Sequence, residues 1–188
     1  MQNFSQIRIF LASPGDVNEE RAVALEVFDM LEYDPLFKRD GTGGVSIHAV
    51  AWDKPGGDTP MRATKTPQTA IKEGLPTPSA CDVVLVLFWS RMGTPLPHPE
   101  YQKDDGTPYL SGTEWEFWNA TNAERERGKP ITLIYRRTEK PDIDIDNEAA
   151  IDQYRSVGKF FKQFRDASGA LTGGVNEYDT PENLRVKW

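Results

Sequence analysis

Two kinds of hydrophobic pattern alternate along this chain, and together they predict its secondary structure. Short apolar runs rich in valine and isoleucine are typical of strands buried on both faces of a parallel sheet, and the run at 82–89, DVVLVLFW, has this pattern. Segments with an apolar residue at every third or fourth position predict amphipathic helices between such runs. The predicted strands are 7–12, 45–52, 82–89, 131–135 and 175–178, and the predicted helices are 17–33, 66–74, 113–127, 149–164 and one that begins at 181.

The alternation of these elements, βαβαβαβ, predicts an α/β fold with a doubly wound parallel sheet of about five strands. Right-handed crossovers favour the strand order 2-1-3-4-5, with the strand at 82–89 in the centre. In that order a ligand-binding crevice lies between the carboxyl ends of strands 1 and 3. The 188 residues are enough for one domain, and the helix that begins at 181 is unfinished, so we expect the natural protein to continue.

The segment after the third strand brings two carboxylates to this edge of the sheet. About twenty residues rich in glycine and proline separate the strand from the next helix, and loops of that length in compact domains are usually functional or disordered. Ser111 or Thr113 can cap the helix, which places Glu114 and Glu116 in its first turn, where the helix dipole favours negative charge. A structural role at the helix start therefore accounts for both glutamates.

Only one of the two glutamates can face the crevice, because residues two apart on a helix point to nearly opposite sides. Glu116 shares a helix face with Thr113, Ala120 and Ala123, small residues of the kind expected where a helix lies close to a sheet. We therefore predict that Glu116 is the residue at the crevice and keep Glu114 as the alternative.

A turn with the sequence SPGD at 13–16 follows the first strand and leads into a helix. Asp16 can cap this helix, and the free N–H groups at its start could hold an anion. The turn and the Ser90 loop after the third strand would flank the crevice, so we predict that Ser13, Asp16 and Ser90 bind substrate.

Three tryptophans and an arginine complete the set of candidate residues. Trp52, Trp89 and Trp115 could stack on a base or a nicotinamide ring, and Arg91 could bind a phosphate. Packing is the commoner role of a tryptophan, and solvent exposure that of a loop arginine. The predicted substrate-binding residues are Ser13, Asp16, Trp52, Trp89, Ser90 and Arg91, around Glu116 as the catalytic residue.

Charge and composition narrow the range of partners. The net charge of −7, from 22 basic and 29 acidic side chains, argues against a general nucleic-acid surface or an anionic-membrane surface. The single cysteine, Cys81, excludes a disulfide within the chain and, with no signal peptide or membrane span in the sequence, predicts a cytoplasmic protein. No metal-ligand spacing, GxGxxG, P-loop or GxSxG motif is present, so we predict neither a metal nor a cofactor.

Several segments taken together resemble a known family. RIFLASPGDVNEER, the helix at 68–75, CDVVLVLFWSRMGTP, SGTEWEFWNA and GKPITLIY occur in this order in the TIR-like domain family of unknown function found at the N-terminus of many STAND-type NTPases. The resemblance covers nearly the whole chain. It implies a flavodoxin-like fold, shared with TIR domains and nucleoside deoxyribosyltransferases, and an N-terminal effector domain of a larger protein in bacterial antiphage defence.

The resemblance also implies a catalytic residue. In catalytic TIR domains a glutamate early in the helix after the third strand cleaves the N-glycosidic bond of NAD, and the frame around it matches Glu116, Phe117 and Ala120. Trp115 stands directly before this glutamate instead of several residues earlier, which keeps Glu114 as the alternative. NAD would then be the substrate, and self-association through the rest of the full-length protein would complete the site across neighbouring copies.

Three functions are therefore consistent with the sequence. The first is an NAD glycohydrolase whose carboxylate stabilises an oxocarbenium-like transition state. The second is a TIR-like interaction module that self-associates or recruits a partner without chemistry. The third is an enzyme similar to nucleoside deoxyribosyltransferases.

Overall fold

A sheet of mainly parallel strands organises the protein in the computed structural model, which describes residues 5–35, 38–39, 43–51, 74–97 and 100–187. Its order is β2-β3-β1-β4-β5-β6, and every neighbouring pair is parallel except β2 and β3. Without the two-residue β2, which the hydrophobic pattern does not predict, five parallel strands remain in the predicted order 2-1-3-4-5 of a flavodoxin-like fold. The strands are β1 (Ser5–Ala12), β2 (Lys38–Arg39), β3 (Gly43–Val50), β4 (Val83–Phe88), β5 (Ile131–Arg137) and β6 (Asn176–Tyr178).

The helices of the described residues begin and end close to their predicted bounds. They are α1 (Asn18–Tyr33), α2 (Gly112–Arg127), α3 (Glu148–Phe161) and α4 (Pro181–Arg185). The largest difference is at the end of α3, where the 3-10 turn Lys162–Phe164 replaces the last predicted turn of α-helix. The helix predicted at 66–74 lies outside the described residues, except for Gly74. No helix of the described residues is long and apolar enough to cross a membrane.

Strand β4 lies in the middle of the sheet and is buried on both faces, as predicted. Its side chains alternate between two hydrophobic cores, with Val84, Val86 and Phe88 in one and Leu85 and Leu87 in the other. Helices α2 and α3 cover the first core, and α1 and α4 cover the second. The helix residues in these cores are Phe117, Ala120, Val157, Phe160 and Phe161 on one face and Ala24, Phe28 and Leu184 on the other.

Polar contacts fix β4 against β1 at both of its ends. At the amino end the Arg8 amide donates to Asp82 Oδ2, and the Asp82 amide donates to the Arg8 carbonyl, each at 2.9 Å. At the carboxyl end Ser90 donates to Asp16 Oδ2 from its amide at 2.9 Å and from its hydroxyl at 2.8 Å. The loops that follow β1 and β4 are therefore held side by side at the carboxyl edge of the sheet.

Candidate functional site

Helix α2 begins at this carboxyl edge, beside the loop that follows β4. Ser111 is its N-cap, because the Ser111 hydroxyl accepts a hydrogen bond from the Glu114 amide at 3.1 Å. Gly93 in the loop has φ 106°, and a Cβ built there would lie 3.4 Å from Ser111 Cβ. The loop and the helix start therefore pack closely, near the end of β4. Glu114 lies in the first turn of α2, but Glu116 lies beyond it, so the prediction of a first-turn position is wrong for Glu116.

Glu114 is buried and fully engaged with the loop before the helix. Its Oε2 accepts a hydrogen bond from the Leu110 amide at 2.5 Å, and its Oε1 lies 2.8 Å from the Lys103 Nζ. The loop is also held by an edge-to-face contact between Tyr101 and Trp115, with ring centres 5.8 Å apart. Glu114 therefore anchors the loop at 100–111, and Trp115 packs against the same loop.

Glu116 lies on a different flank of the helix and is 6% exposed. The residues predicted to share its face, Thr113, Ala120 and Ala123, are also buried. One turn further along, Asn119 Oδ1 accepts a hydrogen bond from the Ser79 amide at 2.9 Å, so this flank faces the turn that leads into β4. Burial does not distinguish the two glutamates, because Glu114 is 3% exposed.

Asp16 does not cap α1, so that part of the prediction is wrong. The N-cap residue is Val17, which has no side chain able to accept a hydrogen bond, and the helix begins at Asn18. The Asp16 carboxylate instead reaches across to the loop after β4, where its Oδ2 accepts both hydrogen bonds from Ser90. Asp16 Oδ1 is buried and has no hydrogen-bond partner among the described residues. Two of the predicted substrate-binding residues are thus brought into direct contact.

Ser13 is held by a basic side chain that the sequence analysis did not single out. Arg21 Nη1 donates to Ser13 Oγ at 2.6 Å, and Arg21 is 3% exposed. Arg91, the predicted phosphate-binding residue, is exposed on the loop after β4. Trp52 lies outside the described residues.

Trp89 is packed at the rim of the carboxyl edge. Its Nε1 donates to the Glu139 carbonyl at 2.9 Å, and the guanidinium carbon of Arg137 lies 4.1 Å from the centre of its rings. One face of the indole is therefore covered by a cation, which matches the packing interpretation of this tryptophan.

A buried ionic network supports this edge, and sequence reasoning missed it. Glu20, which is 1% exposed, accepts hydrogen bonds on Oε1 from Arg137 Nη1 at 2.9 Å and from the Tyr178 hydroxyl at 3.3 Å. Arg137 also pairs with Glu139. Burial and then the Glu20 carboxylate raise the pKa of Tyr178 far above its usual range. The only signal of this network in the sequence is a pair of arginines at the end of an apolar strand. That signal does not identify Glu20, which is 117 residues away, as the partner of Arg137.

Taken together, the carboxyl edge offers a buried carboxylate on α2, the Asp16–Ser90 contact and the Ser13–Arg21 contact. Among the described residues no group of histidine, cysteine, aspartate and glutamate side chains is arranged to hold a metal ion. No protein-family model matches the chain, and no curated protein is significantly similar to it. The basis for a function is therefore the geometry of this edge together with the resemblance of the sequence segments to the TIR-like family.

Proposed function

We propose that the chain is a TIR-like effector domain that hydrolyses the N-glycosidic bond of NAD, with Glu116 as the catalytic carboxylate. The observation that carries the proposal is the position of Glu116 in a segment that resembles the catalytic frame of TIR domains, on a helix that begins at the carboxyl edge of the sheet. Glu114 has a structural role, because both of its oxygens bind the loop before the helix.

The reaction needs little beyond a positioned negative charge. Nicotinamide in NAD carries a positive charge and leaves as a neutral molecule, so no strong general acid is required. As the bond between ribose C1′ and the nicotinamide nitrogen breaks, positive charge develops on the ribosyl group, and the Glu116 carboxylate stabilises it or attacks C1′. Water then adds to C1′ and loses a proton, which gives ADP-ribose.

Burial strengthens this effect of the carboxylate. Charges interact more strongly where water is excluded, because the effective dielectric constant is lower than in bulk solvent. Near the same edge, the Asp16 carboxylate holds the Ser90 loop in place through two hydrogen bonds. The Ser13 hydroxyl, oriented by Arg21, adds a polar group for the nucleotide.

In this proposal the domain acts within a larger STAND-type immune protein that brings copies together. The net charge of −7 opposes assembly of isolated domains, since like charges repel. The alternative is an interaction module that uses the same fold without chemistry, and the exposed Met30 and Tyr33 on α1 are large apolar side chains that such a module could use.

The test is release of nicotinamide from NAD by the chain in dilute form and when fused to an oligomerising partner. The proposal predicts release that rises with clustering. If the clustered chain releases none, the interaction module replaces the enzyme as the proposed function. A parallel incubation of a deoxynucleoside with a second free base tests the transferase alternative, because a transferase would exchange the bases.

A further inference from the structure

The loop directly after β4, residues 90–94, is anchored at both of its ends. Ser90 bonds Asp16 in the turn after β1, and the Thr94 carbonyl accepts a hydrogen bond from the Gly112 amide at 3.2 Å, at the start of α2. Surface loops are usually the more mobile part of a domain. Here the two anchors restrict the backbone of the residues between them.

Helix α3 holds the middle of this loop through one side chain, Gln153. Its Oε1 accepts hydrogen bonds from two consecutive amides, that of Met92 at 2.9 Å and that of Gly93 at 3.2 Å. The Met92 side chain is 1% exposed and belongs to the core that α2 and α3 cover. A single side-chain oxygen therefore satisfies two backbone donors of an irregular segment and fixes the direction in which both point.

Arg91 lies between these anchored residues, and its side chain is exposed. Near the same edge, Arg21 and Arg137 bond polar side chains of the domain, and Arg136 lies against an aromatic ring. Among the described residues, Arg91 has no such partner. Its guanidinium is therefore available to an anion from solution, and its backbone is already ordered, which lowers the entropy lost on binding.

We propose that Gln153 is a positioning residue, which fixes the loop so that Arg91 binds the pyrophosphate of the dinucleotide. The inference rests on the proposed function for its substrate, because NAD supplies the pyrophosphate. A guanidinium binds phosphate oxygens through paired hydrogen bonds that require a defined orientation. The chain carries a net charge of −7, so an anionic substrate needs a local cation at this edge. Gln153 does not touch the substrate and acts through the backbone on either side of Arg91.

Calorimetric titration of the clustered full chain with ADP-ribose tests this role, because ADP-ribose keeps the pyrophosphate and has no nicotinamide to lose. Arg91→Gln should weaken binding roughly 10-fold or more, since it removes a charged donor. Gln153→Met keeps the length of the side chain without the acceptor and should weaken binding roughly 3- to 10-fold. The double variant should bind no more weakly than Arg91→Gln alone, because Gln153 acts through Arg91.

A rescue variant and a matched control separate this role from a general loss of structure. Gln153→Glu keeps an acceptor oxygen at the same reach and should restore most of the affinity. Gln163→Met makes the same change at an exposed residue on the turn after α3 and should bind like the wild type. Hydrogen exchange of the Met92 and Gly93 amides should be faster in Gln153→Met only. If the clustered wild type releases nicotinamide, Gln153→Met should raise KM and leave kcat nearly unchanged.

The proposal is overturned if the clustered wild type does not bind ADP-ribose at millimolar concentration, or if Arg91→Gln or Gln153→Met binds as tightly as the wild type. It is also overturned if the two losses add in the double variant, because Gln153 would then act independently of Arg91. Coupled losses of ADP-ribose binding in a wild type that releases no nicotinamide would reject the NADase reaction and keep the role of Gln153. Release of nicotinamide with unchanged KM in Gln153→Met would keep the reaction and reject that role.

Discussion

Buried polar groups are hydrogen-bonded to different degrees at the two edges of the sheet. At the carboxyl edge, side chains from distant segments pair with one another, as Asp16 does with Ser90 and Glu20 with Arg137. Toward the amino edge, the buried Thr132 Oγ1 has no hydrogen-bond partner in the described part of the chain. The exception at the carboxyl edge is Asp16 Oδ1, which is buried and has no hydrogen-bond partner among the described residues. The paired groups therefore hold the loops of the carboxyl edge together, whereas the Thr132 hydroxyl holds no other segment in place.

The largest effect on stability is expected from Arg137→Met, which breaks the support of the carboxyl edge. The substitution leaves the Glu20 carboxylate buried without its cation, and removal of one partner of a buried ion pair typically costs about 3–5 kcal/mol. Chemical denaturation followed by circular dichroism measures the free energy of unfolding.

Arg136→Met is the matched control, because Arg136 is the neighbouring residue and its guanidinium carbon lies 4.8 Å from the Phe161 ring. Loss of this contact should cost only about 1 kcal/mol or less. Equal losses in the two variants would mean that the Glu20–Arg137 pair contributes nothing specific to this edge.

The next largest effect concerns the two glutamates of α2. If the chain is an NADase, Glu116→Gln should lower the rate of nicotinamide release on the order of 10²–10³, because it removes the charge that stabilises the ribosyl cation. Its stability should fall by no more than about 1 kcal/mol, because Glu116 lies beyond the first turn of α2, where the interaction with the helix dipole is weaker.

Glu114→Gln should show the opposite balance. It weakens the contacts with Lys103 and the Leu110 amide, so we expect a loss of stability of about 1–2 kcal/mol and a much smaller loss of activity. Nicotinamide release and thermal unfolding of both variants decide between them. An inactive Glu114→Gln beside an active Glu116→Gln would reverse the assignment of the catalytic residue.

The elements of the fold and the order of its five parallel strands are predictable from the sequence, but the side-chain contacts between distant segments are not. Strand β4 and helix α2 each carry their own periodicity and cap, so their bounds follow from local residues such as Ser111 and Gly128. Asp16 shows the limit of such local reasoning. Its position before a helix indicates a cap, but the strand order places it beside Ser90, and that contact depends on residues 74 positions apart. The Glu20–Arg137 pair could not be predicted for the same reason, because its two residues lie 117 positions apart.

A smaller effect on stability is expected when one hydroxyl is removed at either edge of the sheet. Ser90→Ala removes a hydroxyl that donates to the Asp16 carboxylate at 2.8 Å and should cost about 1.5–3 kcal/mol. Thr132→Val removes a buried hydroxyl without a partner and should leave stability unchanged or raise it by about 1 kcal/mol. Denaturation midpoints of both variants test the comparison, and a clear loss of stability in Thr132→Val would show that its hydroxyl is bonded in solution.

The last effect, expected at Cys81 near the amino end of β4, is absent at neutral pH and develops only when the pH is raised. Burial, opposed by Arg8 and reinforced by Asp82, raises the pKa of the Cys81 thiol to about 11 from a usual 9.0. The folded chain therefore holds this proton more tightly than the unfolded chain, so stability is complete below about pH 9 and falls as the pH rises toward about 11.

In Cys81→Ala this contribution is absent, so the free energy of unfolding should fall less steeply than in the wild type between these pH values. Comparison of the two slopes is needed because Tyr178, whose pKa is also raised, affects both proteins equally. Parallel slopes would mean that the thiol ionises as readily in the folded chain as in the unfolded one.

The apolar character of both faces of β4 affects how the chain finds its alignment during folding. In a strand with one polar face, a slip of one residue raises the free energy of the folded chain, because the slip turns the apolar side chains toward water. In β4 the same slip would only exchange apolar side chains between two cores. The alignment is therefore specified mainly at the ends of the strand, where Asp82 contacts Arg8 and Ser90 contacts Asp16, each across 74 positions. Because both contacts form, the number of residues between Asp82 and Ser90 is fixed. A strand longer by one residue could form only one of the two contacts.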